Sequence, residues 1–288
     1  MRSFILFLAG LLAALFFVSC TKELDFAYGS VAPIPVIEAY ASSDGVRVCL
    51  TRSREVEDTS RNHFVDGANV AIFGPDGRET RLSYDGSGVY VAPDAVFAPG
   101  EVCSLRVESE DGVFVASDTM ALPPLGADVS FTWDDILGSE TVSMRFGLMT
   151  PADSTAYYAL VVRRNGEVYN WGVLNNVTRH DGYIEGGILC FNRDDLEGKD
   201  QAGNKARPEI VIHDGDRVDV AFVGLSKRSY DYLAALSLSA STSANPRGVF
   251  TGDALGLFAA VGVLRVPTIV FSIDSLPVNW RPSRLNIQ

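Results

Sequence analysis

Three histidines, His63, His180 and His213, set the scope for acid–base and metal chemistry in this chain. A helical His-Glu-x-x-His site needs two of them four residues apart, and none are. His213-Asp214-Gly215-Asp216 brings an imidazole and two carboxylates together, which are donors a divalent cation would accept. The same residues are ordinary turn chemistry, because Asp-Gly after a strand supplies a local hydrogen bond and a positive φ. We read them as a turn, and His180-Asp181-Gly182 likewise. A site at His63 would need partners that sequence alone does not name. A Ser-His-Asp triad assembles in space, so spacing does not exclude one. The Gly-x-Ser-x-Gly elbow that would present its serine is nevertheless missing. The phosphate cradle fails as well, since Gly198 and Gly203 are followed by Asn204 rather than lysine. Asp194 and Asp195 resemble the carboxylate pair of a glycosidase. Neighbours on a strand face opposite ways, so the pair is read as a solvated loop. The segment also lacks EF-hand spacing.

After Cys20 the cysteines are Cys49, Cys103 and Cys190, with no Cys-x-x-Cys pair to hold zinc. Cys49 alternates against Val46, Val48 and Leu50, whereas Cys103 alternates with Leu105 and Val107. The two are predicted on opposite strand faces, with no disulfide between them. No metal and no cofactor is expected. Aromatic residues offer a binding idea instead. Tyr169 and Trp171 stand two apart, on one face of a strand, and Tyr183 lies in the long polar connection Asn170–Gly187. Together Tyr169, Trp171 and Tyr183 are the candidate ligand-binding residues, since aromatic platforms take sugars and flat apolar ligands. The competing reading places Trp171 in a sandwich core.

The elements that must position these residues begin after a leader. Arg2, an apolar run from Phe4 to Val18 and small Ser19 describe a signal peptide over residues 1–19. The run is too short for comfort as a spanning helix, which needs about 20 apolar residues. Phe17-Val18-Ser19-Cys20 resembles a lipobox, with Phe17 where leucine is usual, and predicts lipidation of Cys20. The rival is an ordinary secreted protein, but no Ala-x-Ala-like site follows nearby. Residues 1–19 hold one basic and no acidic residue, so the charge of −12 becomes −13 without them. That balance argues against nucleic-acid binding, which needs clustered Lys and Arg. It is also unlike a polybasic membrane patch.

Residues 20–34 read as a tether. From Pro35 to residue 121, short alternating runs separated by turn residues predict a β-sandwich domain. Val102–Glu108 and Val113–Thr119 form a hairpin around Glu110-Asp111-Gly112. Leu122-Pro123-Pro124-Leu125 breaks the pattern, and a linker is placed at 122–126. A second β-rich domain follows over 127–275. Its strands include Glu167–Trp171 after the Asn165-Gly166 hairpin signal, then Ile188–Phe191, Ile210–His213 and Val218–Leu225. Leu255–Phe258 and Val266–Ile273 are expected to close it. One helix is predicted over 227–238, with Ser226 as N-cap and Leu225 and Tyr230 at hydrophobic-staple spacing. Residues 276–288 are expected to fray. The fold class is therefore all-β, with two tandem Ig-like or transthyretin-like sandwiches, the second carrying one packed helix.

This order of features resembles the DUF4249 family of uncharacterised Bacteroidota lipoproteins over nearly all of the mature chain. Cys20-Thr21-Lys22-Glu23-Leu24-Asp25-Phe26 carries the lipidated cysteine with acidic residues behind it, similar to the signal for export to the outer surface. Val65-Asp66-Gly67-Ala68-Asn69-Val70, Gly88-Val89-Tyr90 and Pro99-Gly100 follow, with Cys103 where the family often has an aromatic. Phe191–Lys199, Ser229-Tyr230-Asp231-Tyr232-Leu233, Asn245-Pro246 and Ala254–Phe258 continue the resemblance. It implies an outer-membrane, lipid-anchored, surface-exposed accessory or ligand-binding protein of TonB-dependent nutrient uptake, with a TonB-dependent transporter as partner and no enzymatic activity. A fimbrial subunit, matured by cleavage after Arg47 or Arg54, and a surface hydrolase are the alternatives.

Overall fold

Alternation of apolar and polar residues decides most of this architecture. The computed structural model describes residues 32–54, 58, 63–178, 181–196, 210–242 and 245–279. The leader, Cys20, nearly all of the tether, and His180 lie outside them. Residues 33–53 and the described residues from 63 onward belong to one compact unit. The first strands are β1 (Pro35–Ser42), β2 (Gly45–Arg52), β3 (His63–Phe64), β4 (Asn69–Phe73) and β5 (Glu79–Arg81). After them come β6 (Ser83–Gly86), β7 (Val89–Ala92), β8 (Val102–Ser109) and β9 (Gly112–Thr119). Two sheets result. Sheet I has β1, β2, β7 and β6 in order, with β3 beside β2; sheet II runs β5-β4-β8-β9. Val46, Val48 and Leu50 from sheet I meet Cys103, Leu105 and Val107 from sheet II in one core. Leu105 and Ile72 are at most 1 % exposed, and burial of such side chains stabilises by about 1.5–3 kcal/mol each. Cys49 points to the other side, as the alternation predicts.

The second half begins with β10 (Gly126–Ile136), β11 (Ser139–Met149), β12 (Tyr157–Arg164), β13 (Glu167–Asn175) and β14 (Tyr183–Asn192). A single helical turn, α1 (Arg193–Leu196), β15 (Arg217–Leu225) and the helix α2 (Lys227–Thr242) come next. The chain continues through β16 (Leu255–Ala260), β17 (Gly262–Arg265), β18 (Ile269–Val270), a 3-10 turn at Ile273–Ser275 and β19 (Val278–Asn279). Sheet III is β14-β11-β10-β19; sheet IV is β13-β12-β15-β17, with β18 beside β15. Val142, Met144 and Leu148 pack against Tyr158, Leu160 and Phe222 between them. No helix of the described residues is long and apolar enough to cross a membrane.

Several expectations are corrected. Ile210–His213 forms no strand; Val211 and Ile212 enter the core as irregular chain. The predicted strand Val266–Ile273 shrinks to Ile269–Val270. Residues 276–279 do not fray, because Leu276 packs on the core and β19 pairs with β10. The largest difference concerns β16. It leaves the second half and lies parallel to β1, Val36 opposite Leu255 through Ala41 opposite Ala260. Both of its faces are covered, which is why Leu255–Ala260 reads as a continuous apolar run. Phe258 and Ala260 enter the first core, while Leu257 and Ala259 face α2 and sheet IV.

Helix α2 starts as predicted. The Ser229 N–H donates to Ser226 Oγ at 3.2 Å, and Leu225 and Tyr230 pack in one cluster. Its apolar side, Tyr230 and Leu233, lies on Ala159 and Leu225 of sheet IV and on Leu257 of β16. A buried carboxylate ties these pieces together. Asp118 of β9 accepts from Ser229 Oγ at 2.9 Å and from the Ala260 N–H at 3.0 Å.

Candidate functional site

A β-bulge decides where the sequence-predicted aromatics point. Along β12–β13, Val162 faces Asn170 and Arg163 faces Val168, so Tyr169 is the extra residue. The bulge resets the alternation. Tyr169 packs on the second core, and its hydroxyl donates to the carbonyl of Ile210 at 2.8 Å and approaches that of Cys190 at 3.4 Å. Cys190 is itself the extra residue of a second bulge, since Val142 faces Phe191 and Ser143 faces Leu189. Tyr169 thus staples the bulged edges of sheets III and IV. Burial, foremost, raises its pKa well above that of a free phenol. Burial pushes the Cys190 thiol up to about 11.

Trp171 pairs with Val161 on the opposite, outer face of sheet IV and is 37 % exposed. The expectation that Tyr169 and Trp171 share a face is overturned by the bulge. Tyr183 stands on sheet III, where it pairs with Met149 and its hydroxyl approaches Asp128 Oδ1 at 3.4 Å. Its ring covers Gly147, where a Cβ would come within 2.6 Å of the ring carbon Cζ. The expected long connection therefore shortens to residues 176–182. The three aromatics point in three directions and form no joint platform.

The other sequence candidates are spent on structure. The His213 N–H donates to Asp216 Oδ2 at 2.9 Å, and Asn165 Nδ2 donates to Asp216 Oδ1 at 2.7 Å. Asp214 Oδ1 accepts from the Ile273 N–H at 2.6 Å. The run is a turn, as read from sequence. Asp195 is not in a solvated loop; Asn192 caps α1 by accepting the Asp195 N–H at Oδ1, and the Asn192 N–H donates back to the Asp195 carboxylate, both at 2.8 Å. His63 sits on the exposed two-residue strand β3. Among the described residues, no group of three or more His, Cys, Asp or Glu side chains could hold a metal ion.

One cleft of about 210 Å³ does bring chemistry together. It opens at the end of the second sandwich, between the β10–β11 hairpin, α1 and residues 273–278. Trp133 forms part of its wall. The ring is half-buried against the core, and its backbone N–H donates to Pro277 O at 3.0 Å. Arg193 lies over it, Cζ 4.9 Å from the ring centroid, a cation–π distance. Arg193 Nε also pairs with Glu140. Asp135 and Asp274 face the cleft, and Ile273, Leu276 and Val278 supply its apolar side. Asp134 lines it too, but its charge is already matched. Burial alone would raise its pKa; the hydrogen bond from Arg145, 2.8 Å from Oδ2, wins and holds the carboxyl below the usual range. Sequence reading missed this cleft because its parts come from three distant segments. Trp133, one of three tryptophans, was the signal available.

A family model described as a domain of unknown function, DUF4249, matches residues 21–252. No curated protein matches the chain. Among solved structures, a pullulanase from Anoxybacillus sp. LM18-11 complexed with maltotriose is 10 % identical, with 65 % of this chain and 24 % of that one covered and a TM-score of 0.21. A DUF4785 family protein from Legionella pneumophila is 12 % identical over 65 % of this chain and 50 % of its own, at 0.21. The chicken interferon gamma receptor alpha chain is 8 % identical over 67 % and 90 %, at 0.20. The chain thus spans about a quarter of the pullulanase and half of the Legionella protein.

Proposed function

This chain belongs to the DUF4249 family, and from that membership we propose that it is a non-enzymatic, lipid-anchored binding protein of the bacterial outer surface. Cys20 carries the lipid, the tether spaces the sandwiches from the membrane, and the body serves as an accessory of a Bacteroidota TonB-dependent nutrient transporter. The observation that carries the binding role is the cleft at Trp133. A half-buried aromatic, an arginine and the carboxylates of Asp135, Glu140 and Asp274 line one concave site, the kind of surface on which small ligands are bound. The anchor rests on Phe17-Val18-Ser19-Cys20 behind an apolar run. A single acyl chain gives only about 10⁴ M⁻¹ of membrane affinity, so Cys20 carries several.

The test is fractionation followed by affinity capture. Tagged chain should sediment with the outer membrane and co-purify, in mild detergent, with a TonB-dependent transporter identified by mass spectrometry. Cys20→Ala should move it to the soluble fraction. Membrane retention of C20A would defeat the anchor; capture of the native chain with no transporter would defeat the accessory role.

A further inference from the structure

Arg193 occupies the place a ligand's cation would take. It stacks on Trp133 and pairs with Glu140, yet the Arg193 and Glu140 side chains are 53 % and 50 % exposed. Exposed ion pairs and exposed cation–π contacts are each weak, on the scale of thermal energy. Nothing on that scale locks the arginine in place. Asp135 and Asp274 bring two further carboxylates to the same cleft, so its negative charge exceeds what Arg193 supplies. Asp134 is left out of this count because Arg145 satisfies it.

We infer that the cleft recognises a guanidinium group, the side chain of an arginine presented by a peptide, and that Arg193 is its resident competitor. The inference rests on the binding role proposed above and gives that role a ligand class. A guanidinium is planar. It can lie flat on Trp133 while its edge donates two parallel hydrogen bonds to a carboxylate such as Glu140, a geometry an ammonium lacks. The stack on Trp133 shows this surface already holding one guanidinium, an observation independent of the acidic rim. At about 210 Å³ the cleft suits one side chain rather than a larger ligand. An incoming arginine must displace Arg193 or share the cleft with it, so removing Arg193 should strengthen binding.

Calorimetric titration of the full chain with N-acetylarginine amide, and with its neutral isostere N-acetylcitrulline amide, tests this. Arg193→Ala should bind the arginine compound at least tenfold more tightly than the unaltered chain and should give no heat with the citrulline compound. Adding Glu140→Gln to R193A should remove most of that gain. Circular dichroism melts check that the variants fold; should R193A fail, Arg193→Gln keeps the stem and carries the same test. No gain on removing Arg193, or equal binding of both compounds, overturns the inference. If membrane attachment and transporter capture persist while the titrations stay flat, only the guanidinium assignment falls. If transporter capture is lost as well, the accessory role falls with it.

Discussion

Tyr169 places a phenol between two bulged strands, half-buried against the second core, and its hydroxyl serves the Ile210 carbonyl. Tyr169→Phe leaves the Ile210 carbonyl short of its donor and should cost about 1–3 kcal/mol in urea denaturation. Trp171→Ala, on the outer face, should cost clearly less, since no buried group is orphaned. Equal losses would mean that Trp171 carries packing its exposure does not reveal. Asp216 makes a second prediction. Burial would raise its pKa, but hydrogen bonds from Asn165 and the His213 N–H, with the charge of Arg164, keep it below the ordinary value. A carboxyl depressed in the fold releases its proton more readily there than in the unfolded chain, where its pKa is about 3.9. Its contribution is therefore complete above about pH 4 and lost as pH falls through the folded value. Asp216→Asn should reduce stability at pH 7 and shrink the difference between pH 7 and pH 3 in paired denaturation curves. The turn holding Asp216 was legible because Asp-Gly has a local reason to turn. The direction of Tyr169 was not, because one extra residue inverts an alternation without leaving a mark in the composition.

Strand β16 and helix α2 meet at Asp118, a carboxylate only 7 % exposed. It satisfies Ser229 at the start of the helix and Ala260 at the end of the strand. Asp118→Ala orphans the Ala260 N–H and should cost about 1–3 kcal/mol. Ser229→Ala should cost less on top of D118A than alone, because both changes remove the same bond; a double-mutant cycle in urea reads that coupling. Strictly additive losses would show that the bond adds nothing. The helix was legible in sequence through its serine cap, its staple and the 3.6-residue spacing of Tyr230, Leu233 and Ala234. The partner of β16 was not legible. A strand apolar on both faces announces that it is buried, but no residue in it names the neighbour. Strand β14 was underestimated for a different reason. Gly186 and Gly187 read as loop, whereas Gly186 leaves room for the Phe146 ring, which would lie 2.3 Å from an added Cβ.

Across the whole molecule, the proline-rich segment at 122–126 is packed down rather than free. Ala121 donates to Ala260 O at 3.1 Å. The backbone at Leu122 and Pro123 runs so close over Gly224 and Gly262 that a Cβ there would lie 1.9 Å and 2.3 Å from main-chain atoms. Gly224→Ala should cost about 1–3 kcal/mol as overpacking and lower one shared melting transition rather than that of one half. Two resolved calorimetric transitions, with only the second moved, would mean that the halves unfold separately. Leu122 and Leu125 are 64 % and 71 % exposed, so a protease can reach the segment. Cleavage there should give two fragments on a denaturing gel that still elute as one species on gel filtration, because β16 belongs to sheet I. Elution as two species would contradict that tie. The proline pair marked a true break in strand pattern, but nothing in it could reveal that the chain later crosses back.

That return crossing sets an order of events during synthesis. As the chain leaves the ribosome, β1 finds β2 within a few residues, and the first hairpin can close at once. The other edge of β1 stays bare until Leu255–Ala260 emerges, after all the strands of sheets I and II and most of those of sheets III and IV. A polypeptide interrupted before that point keeps an exposed, apolar sheet edge, open to pairing with another copy or to a chaperone. Strand β16 thus reports to β1 that both halves of the fold have been made.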